Sequence, residues 1–269
     1  MNNIYGLSRN IPSQTKQEIR RNSGFGCVFC GLFIYQYEHI DPEFKNAKNH
    51  DPKSICLVCP NCHSKITKGL IDKAQVKEAY NNPISKKRGY VNENNFTILR
   101  RPLTVCIGNI IFNNPRLLLI VDEKNLIEIK GISDGNLLLN AVFYDEKGKI
   151  ILEIIDNEWI TSIKNWDIEV KGKEIIIKNN SFDTILHVTV MPPNAILFNH
   201  IKMFLPDGSI LESEFDKEKR CGFVKLITIR NVGLQTNKLS TAGYIKISKG
   251  NFLITGPTTF SGGQIGRLF

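Results

Sequence analysis

Between positions 27 and 63 the chain gathers the residue types that metal and proton chemistry require. Cys27-Val-Phe-Cys30 and Cys59-Pro-Asn-Cys62 are two CxxC units with 28 residues between them. Each unit can present two thiolates to one ion, and a tetrahedral zinc takes four such soft ligands. Gly24, Gly26 and Gly31 flank the first unit, where a knuckle needs a tight backbone turn. The separation is longer than a simple ribbon requires and leaves room for a functional insert. Cys56 lies three before Cys59 and could pair with it. Ser54-Ile-Cys-Leu-Val58 reads as a strand with Cys56 on its inner face, which favours the set Cys27, Cys30, Cys59 and Cys62. The insert contains Tyr37-Glu38-His39-Ile40-Asp41-Pro42, and His63 follows the second unit directly. A neutral histidine beside a cationic site can take a proton from water at physiological pH.

The order CxxC, Glu38-His39-Ile40-x-Pro42, then CPNCH resembles the HNH (ββα-metal) endonuclease family in its four-cysteine zinc branch, over roughly residues 20–70. The resemblance implies metal-dependent hydrolysis of nucleic-acid phosphodiester bonds, with DNA the expected substrate. It makes His39 the general base, Glu38 and His63 the ligands of one catalytic Mg²⁺ or Mn²⁺, and the four cysteines the ligands of a structural Zn²⁺. Phosphodiester cleavage needs an activated water, a Lewis acid on the phosphate and help for the departing oxygen. Adjacent strand residues point to opposite sides. Glu38 and His39 can therefore share a site only where the strand ends or twists, and Pro42 supports an ending. The family's middle residue is an Asn that holds the loop orienting the base. The matching position is Ser54, a departure, with Asn49, His50 and Asn61 as substitutes. The second histidine of some members falls on Thr67, which leaves two protein ligands and a water-rich shell of the kind Mg²⁺ keeps. Lys65 and Lys68 after the second knuckle, and Arg20 and Arg21 before the first, are the expected nucleic-acid contacts.

These residues need elements to position them. Residues 11–22 read as a short helix, with Pro12 in the first turn and Gly24 and Gly26 ending the run; Lys16, Arg20 and Arg21 give it a basic face. A second helix is expected through Ala74–Tyr80, then a polar link over residues 81–89. The expected domains are therefore 1–90, a zinc-stabilised ββα-metal nuclease domain, and 91–269, a β-rich domain. In the latter, Ile-, Val- and Leu-rich runs such as 116–121, 137–144, 149–155, 166–170, 174–178, 184–190, 196–204, 224–230 and 244–247 alternate with turns at 145–148, 171–173 and 206–208. The fold class is α+β, and the β region is a sandwich, barrel or short solenoid. Trp159, Trp166, His187 and His200 are expected in its core or on its surface rather than in a site.

Composition bounds the function classes. The chain has 269 residues, 42% hydrophobic and 23% charged, with net charge +9, ordinary for a globular chain. Residues 1–90 hold 14 basic against 7 acidic side chains, so the positive excess concentrates beside the motifs. Such a field favours a polyanion. Seven cysteines, five of them clustered, argue for a metal and a reducing compartment rather than disulfides. No apolar run reaches the roughly 18–20 residues that span a bilayer, and no signal peptide is legible. A cytoplasmic protein without membrane contact is expected. The β region is expected to bind a protein partner or effector or to form a homo-oligomer. By analogy of layout alone, the chain resembles a regulated defence or restriction effector. A competing reading is a non-catalytic zinc-ribbon module that binds nucleic acid or protein.

Overall fold

The computed structural model describes residues 2–93, 99–132, 136–145, 147–165, 167–179, 181, 183–216, 221–227, 239–241, 243–248, 251–255 and 258–259. The chain is mixed α+β, mostly sheet with few helices, and divides into two compact units. Unit 1 comprises 1–93 and 160–170; unit 2 comprises 94–159 and 171–269. Residues 160–170 group with the N-terminal unit.

Unit 1 is built from α1 (Ser13–Asn22), β1 (Gln36–His39), β2 (Ile55–Val58), α2 (Pro60–Thr67), α3 (Lys73–Asn81), α4 (Ile84–Arg88) and β3 (Tyr90–Glu93). β1 and β2 pair antiparallel, with His39 opposite Ile55 and Glu38 opposite Cys56. Alternation along β2 sorts its side chains between two cores. Ile55 and Leu57 pack with Ile11 and Ile19 of the α1 side. Cys56 and Val58 pack with Val28, Ile40, Val76 and the cysteines of the two knuckles. Burying each such aliphatic side chain contributes about 1.5–3 kcal/mol.

The expected polar link at 81–89 is instead structured. The Ile84 N–H donates to Val28 O, the Ser85 hydroxyl donates to Ser23 O, and residues 84–88 form α4. Ser85 is fully buried. The Pro, Ser and Lys content that reads as a linker is a packed turn holding the first knuckle.

The remaining strands are β4 (Leu99–Arg100), β5 (Thr104–Ile107), β6 (Ile110–Asn113), β7 (Leu117–Val121), β8 (Lys124–Gly131), β9 (Asn136–Tyr144), β10 (Ile150–Ile155), β11 (Glu158–Ser162), β12 (Asp167–Lys171), β13 (Glu174–Lys178), β14 (Thr184–Met191), β15 (Ala195–Phe204), β16 (Ile210–Asp216), β17 (Cys221–Ile227), β18 (Leu239–Thr241), β19 (Tyr244–Ser248), β20 (Asn251–Thr255) and β21 (Thr258–Thr259), of which β11 and β12 run into unit 1. The runs expected as strands fall on β7, β9, β10, β12, β13, β14, β15, β17 and β19, with 228–230 outside the described residues. One unit 2 sheet runs β20-β19-β7-β8-β9-β10, with β4 also on β9; the other runs β13-β14-β15-β5-β6-β18-β21, with β16 on β15 and β17 on β16. Phe143 of β9 and Phe198 of β15 meet with ring centroids 5.9 Å apart, so the two sheets share a core. Trp159 is fully buried, as a core residue should be. Trp166 lies outside the described residues. His187 and His200 face each other across β14 and β15. Among the described residues no helix is long and apolar enough to cross a membrane.

Candidate metal centre and adjoining cleft

The four cysteines of the two knuckles converge, and their Sγ atoms all lie within 4.8 Å of one another. Zn–S bonds of about 2.3 Å in a tetrahedron put neighbouring sulfurs about 3.8 Å apart, and Cys30 Sγ and Cys59 Sγ stand 3.7 Å apart. The cage therefore fits a zinc ion. Backbone geometry makes it possible. Gly31 has φ +79, and a Cβ on Gly26 would fall 2.7 Å from Gly31 O and 2.8 Å from Val91 Cγ1. Hydrogen bonding from Cys30 leads the effects that lower the Cys27 thiol to about 5, so this thiol readily becomes the anion. Burial raises Cys62 to about 12, a bias that a bound cation would reverse. Cys56 is fully buried in β2 and stands outside the cage.

The second knuckle also starts a helix. Cys59 caps α2, its Sγ accepting the Cys62 N–H at 3.4 Å, and Pro60 takes the first position, where its missing N–H costs nothing. His63 sits one residue beyond Cys62 with its N–H on Cys59 O. The cage thereby fixes His63 against β1. Its Nε2 lies 3.2 Å from Glu38 Oε2. This spacing is that of a carboxylate–imidazole hydrogen bond.

β1 ends at His39, and Glu38, His39 and His63 line one open cleft of about 740 Å³. The Ile40 N–H donates to Ser54 O at 2.8 Å, one pair beyond His39 in the same register. His39 is half-buried, and its Nε2, itself shut off from solvent, has no hydrogen-bond partner among the described residues. Burial lowers its pKa from the usual 6.5, and His50, Lys73 and Arg9 act in the same direction against Glu38. The imidazole is therefore neutral at physiological pH, the form a base requires.

The loop beside His39 is held by side chains other than Ser54. Ser54 is partly exposed at the foot of β2, and its hydroxyl bonds Asp51 at 3.5 Å rather than the backbone beside His39. Its carbonyl, which any residue would supply, does the tethering. Asn49 and Asn61 are exposed. Asn3 holds the loop instead: its amide donates to Phe44 O at 2.7 Å and Ala47 O at 2.6 Å. Its Oδ1 accepts the N–H groups of Tyr5 and Leu7. The Phe44 ring packs on His39 at 5.3 Å, and His50 packs on His39 at 5.6 Å while its Nε2 reaches Ser8 O. A side chain near the start of the chain thus supports the loop between the strands, a link that no local pattern signals.

Arg20 requires a correction. It is 3% exposed, with Nε and Nη2 on the Asp167 carboxylate at 2.8 and 2.6 Å and Nη1 on Glu169 at 3.3 Å. A guanidinium committed to two buried acids does not bind phosphate. Arg21, Lys65 and Lys68 are exposed, but none of them lines the cleft. The cations that do line it are Arg9, Lys16, Lys45 and Lys73. Three of these carried no motif; Lys16 shares the α1 basic stretch with Arg20, yet only Lys16 turns to the cleft.

No family model, curated protein or solved structure matches the chain.

Proposed function

We propose that the chain is a metal-dependent nuclease that hydrolyses phosphodiester bonds, with DNA the expected substrate. One observation carries the reading: Glu38, His39 and His63 line one cleft together with Arg9, Lys16, Lys45 and Lys73, and Glu38 Oε2 is 3.2 Å from His63 Nε2. In this reading β1, β2 and α2 form the ββα unit, and the zinc cage is its scaffold. Glu38 and His63 hold a Mg²⁺ or Mn²⁺ ion, which when bound supplies Lewis acidity to the phosphate. His39 is the residue assigned to take the proton from the attacking water. Phe44 and His50 hold the imidazole plane, and Asn3 holds Phe44. Arg9, Lys16 and Lys45 meet the nucleic-acid backbone by charge, without reading sequence. Unit 2 takes the role of a partner-binding, sensing or oligomerisation module in a cytoplasmic defence or restriction effector.

A second reading, a zinc module that binds nucleic acid without cutting it, is favoured by Glu38 having both carboxylate oxygens engaged, by Lys73 and His63. Incubating the zinc-loaded chain with plasmid DNA and with RNA, with and without added Mg²⁺ or Mn²⁺, separates the two. Metal-dependent nicking or linearisation supports the nuclease, and retention of intact nucleic acid supports the module.

A further inference from the structure

The site holds a cation that its motif does not call for. Lys73 is the first residue of α3, and its Nζ lies 2.5 Å from Glu38 Oε1 and 2.8 Å from His39 O. The ammonium therefore grips both residues on which the proposed chemistry depends. Glu38 is nearly buried, at 13% side-chain exposure, and Lys73 is at 37%. The position of Lys73 does not depend on its own contacts. Asp72 accepts the Gln75 N–H and the Gln75 side chain accepts the Asp72 N–H, a reciprocal cap that fixes the start of α3.

A divalent ion on the Glu38 carboxylate would stand within a few ångströms of this ammonium. Two cations that close repel strongly in a partly dehydrated cleft. The carboxylate can neutralise one of them fully, not both. Ion entry must therefore loosen or displace the Lys73 contact, and the free energy of that contact is subtracted from the free energy of ion binding. The long, flexible lysine stem allows such a move without moving α3.

We propose that Lys73 is the resident counter-cation of Glu38 and sets the divalent-ion affinity of the Glu38–His63 site by competing for it. The inference rests on the reading of that pair as an ion site, and it predicts that this chain works only where the ion is abundant enough to win. Removing the ammonium removes the competitor; keeping a cation at position 73 keeps it.

The test is a titration of the full-length, zinc-loaded chain with Mn²⁺ alone, following free Mn²⁺ by electron paramagnetic resonance. Lys73→Met should tighten Mn²⁺ binding on the order of tenfold or more, as loss of a like charge at contact distance requires. Lys73→Arg should bind as the parent does, and Glu38→Gln should lose the site in either background. Lys73→Gln repeats the test with a polar side chain, and zinc content with circular dichroism verifies that each variant is folded. Unchanged or weaker binding in folded Lys73→Met and Lys73→Gln overturns the assignment, as does an absence of Mn²⁺ binding in every variant. The nuclease reading fails separately. Tighter Mn²⁺ binding with no cleavage by any variant sinks that reading and leaves Lys73 as assigned. Cleavage by the parent with Mn²⁺ affinity unmoved by Lys73→Met does the reverse.

Discussion

Arg20 and Asp167 lie 147 positions apart in sequence yet form a buried two-bond ion pair, at 2.8 and 2.6 Å. Both residues belong to unit 1. Breaking one partner of a buried pair costs about 3–5 kcal/mol, because the other charge is left without compensation. Asp167→Ala should therefore destabilise unit 1 by about that much in a urea titration, whereas Lys65→Ala, at an exposed side chain, should shift it by less than about 0.5 kcal/mol. Replacing both with apolar residues, Arg20→Met with Asp167→Leu, should recover much of the loss. A chain ending at residue 93 should fold poorly for the same reason. An Asp167→Ala chain as stable as the parent would show that residues 160–170 do not hold this unit together.

The zinc cage and the small core are one structure, since Cys27, Cys59 and Cys62 pack with Val28, Ile40, Val58 and Val76. Metal binding is then part of the folding free energy of unit 1. Elemental analysis should find about one zinc per chain. Cys27→Ser and Cys62→Ser should each release it and unfold unit 1, while Cys56→Ser should keep the zinc and lose only packing stability. Zinc retained in Cys62→Ser would place the ion elsewhere.

Asn3 and Ser54 make opposite predictions about what orients His39. Asn3→Ala removes two donors to the loop that carries Phe44, each bond worth about 1 kcal/mol. It should lower kcat on the order of tenfold and leave KM near the parent value, since a misplaced base affects the chemical step. Ser54→Ala should cut normally, because only the Ser54 carbonyl reaches Ile40. Loss of activity in folded Ser54→Ala with none in Asn3→Ala would return the orienting role to Ser54.

The pH profile follows from the direction in which His39 is shifted. Burial and the neighbouring His50 lower its pKa below the ordinary 6.5. A base works only when unprotonated, so activity is lost as pH falls through the lowered pKa and is fully present above it. The acid limb of kcat/KM should therefore have its midpoint below 6.5. A midpoint at or above 6.5 that disappears in His39→Ala would contradict the burial argument.

The convergence of Cys27, Cys30, Cys59 and Cys62 was legible in the chain, because two CxxC units announce a metal cage by their spacing. The strands of unit 2 were legible for a similar reason: their β-branched runs are short and bounded by turns, as at Glu174–Lys178. What the chain pattern concealed were pairings over long separation. Arg20 reads as a surface cation beside Lys16 and Arg21, and only Asp167 and Glu169 explain why it turns inward. Residues 81–89 read as a link because polarity was taken for exposure, yet Ser85 is buried on Ser23 O. Asn3 and Lys73 carried no motif, since their partners lie more than 30 residues away at Phe44, Ala47, Glu38 and His39.

The central claim is that His39 removes a proton from water in a metal-dependent cleavage. Single-turnover cleavage of plasmid DNA, with Mg²⁺ or Mn²⁺ and equal zinc content in parent and variant, tests it directly. His39→Ala should slow the cleavage step by about 10²–10⁴-fold while nucleic-acid binding and unit 1 folding stay unchanged. His187→Ala, in unit 2, should cut at the parent rate. Cleavage at the parent rate by folded, zinc-loaded His39→Ala would contradict the account.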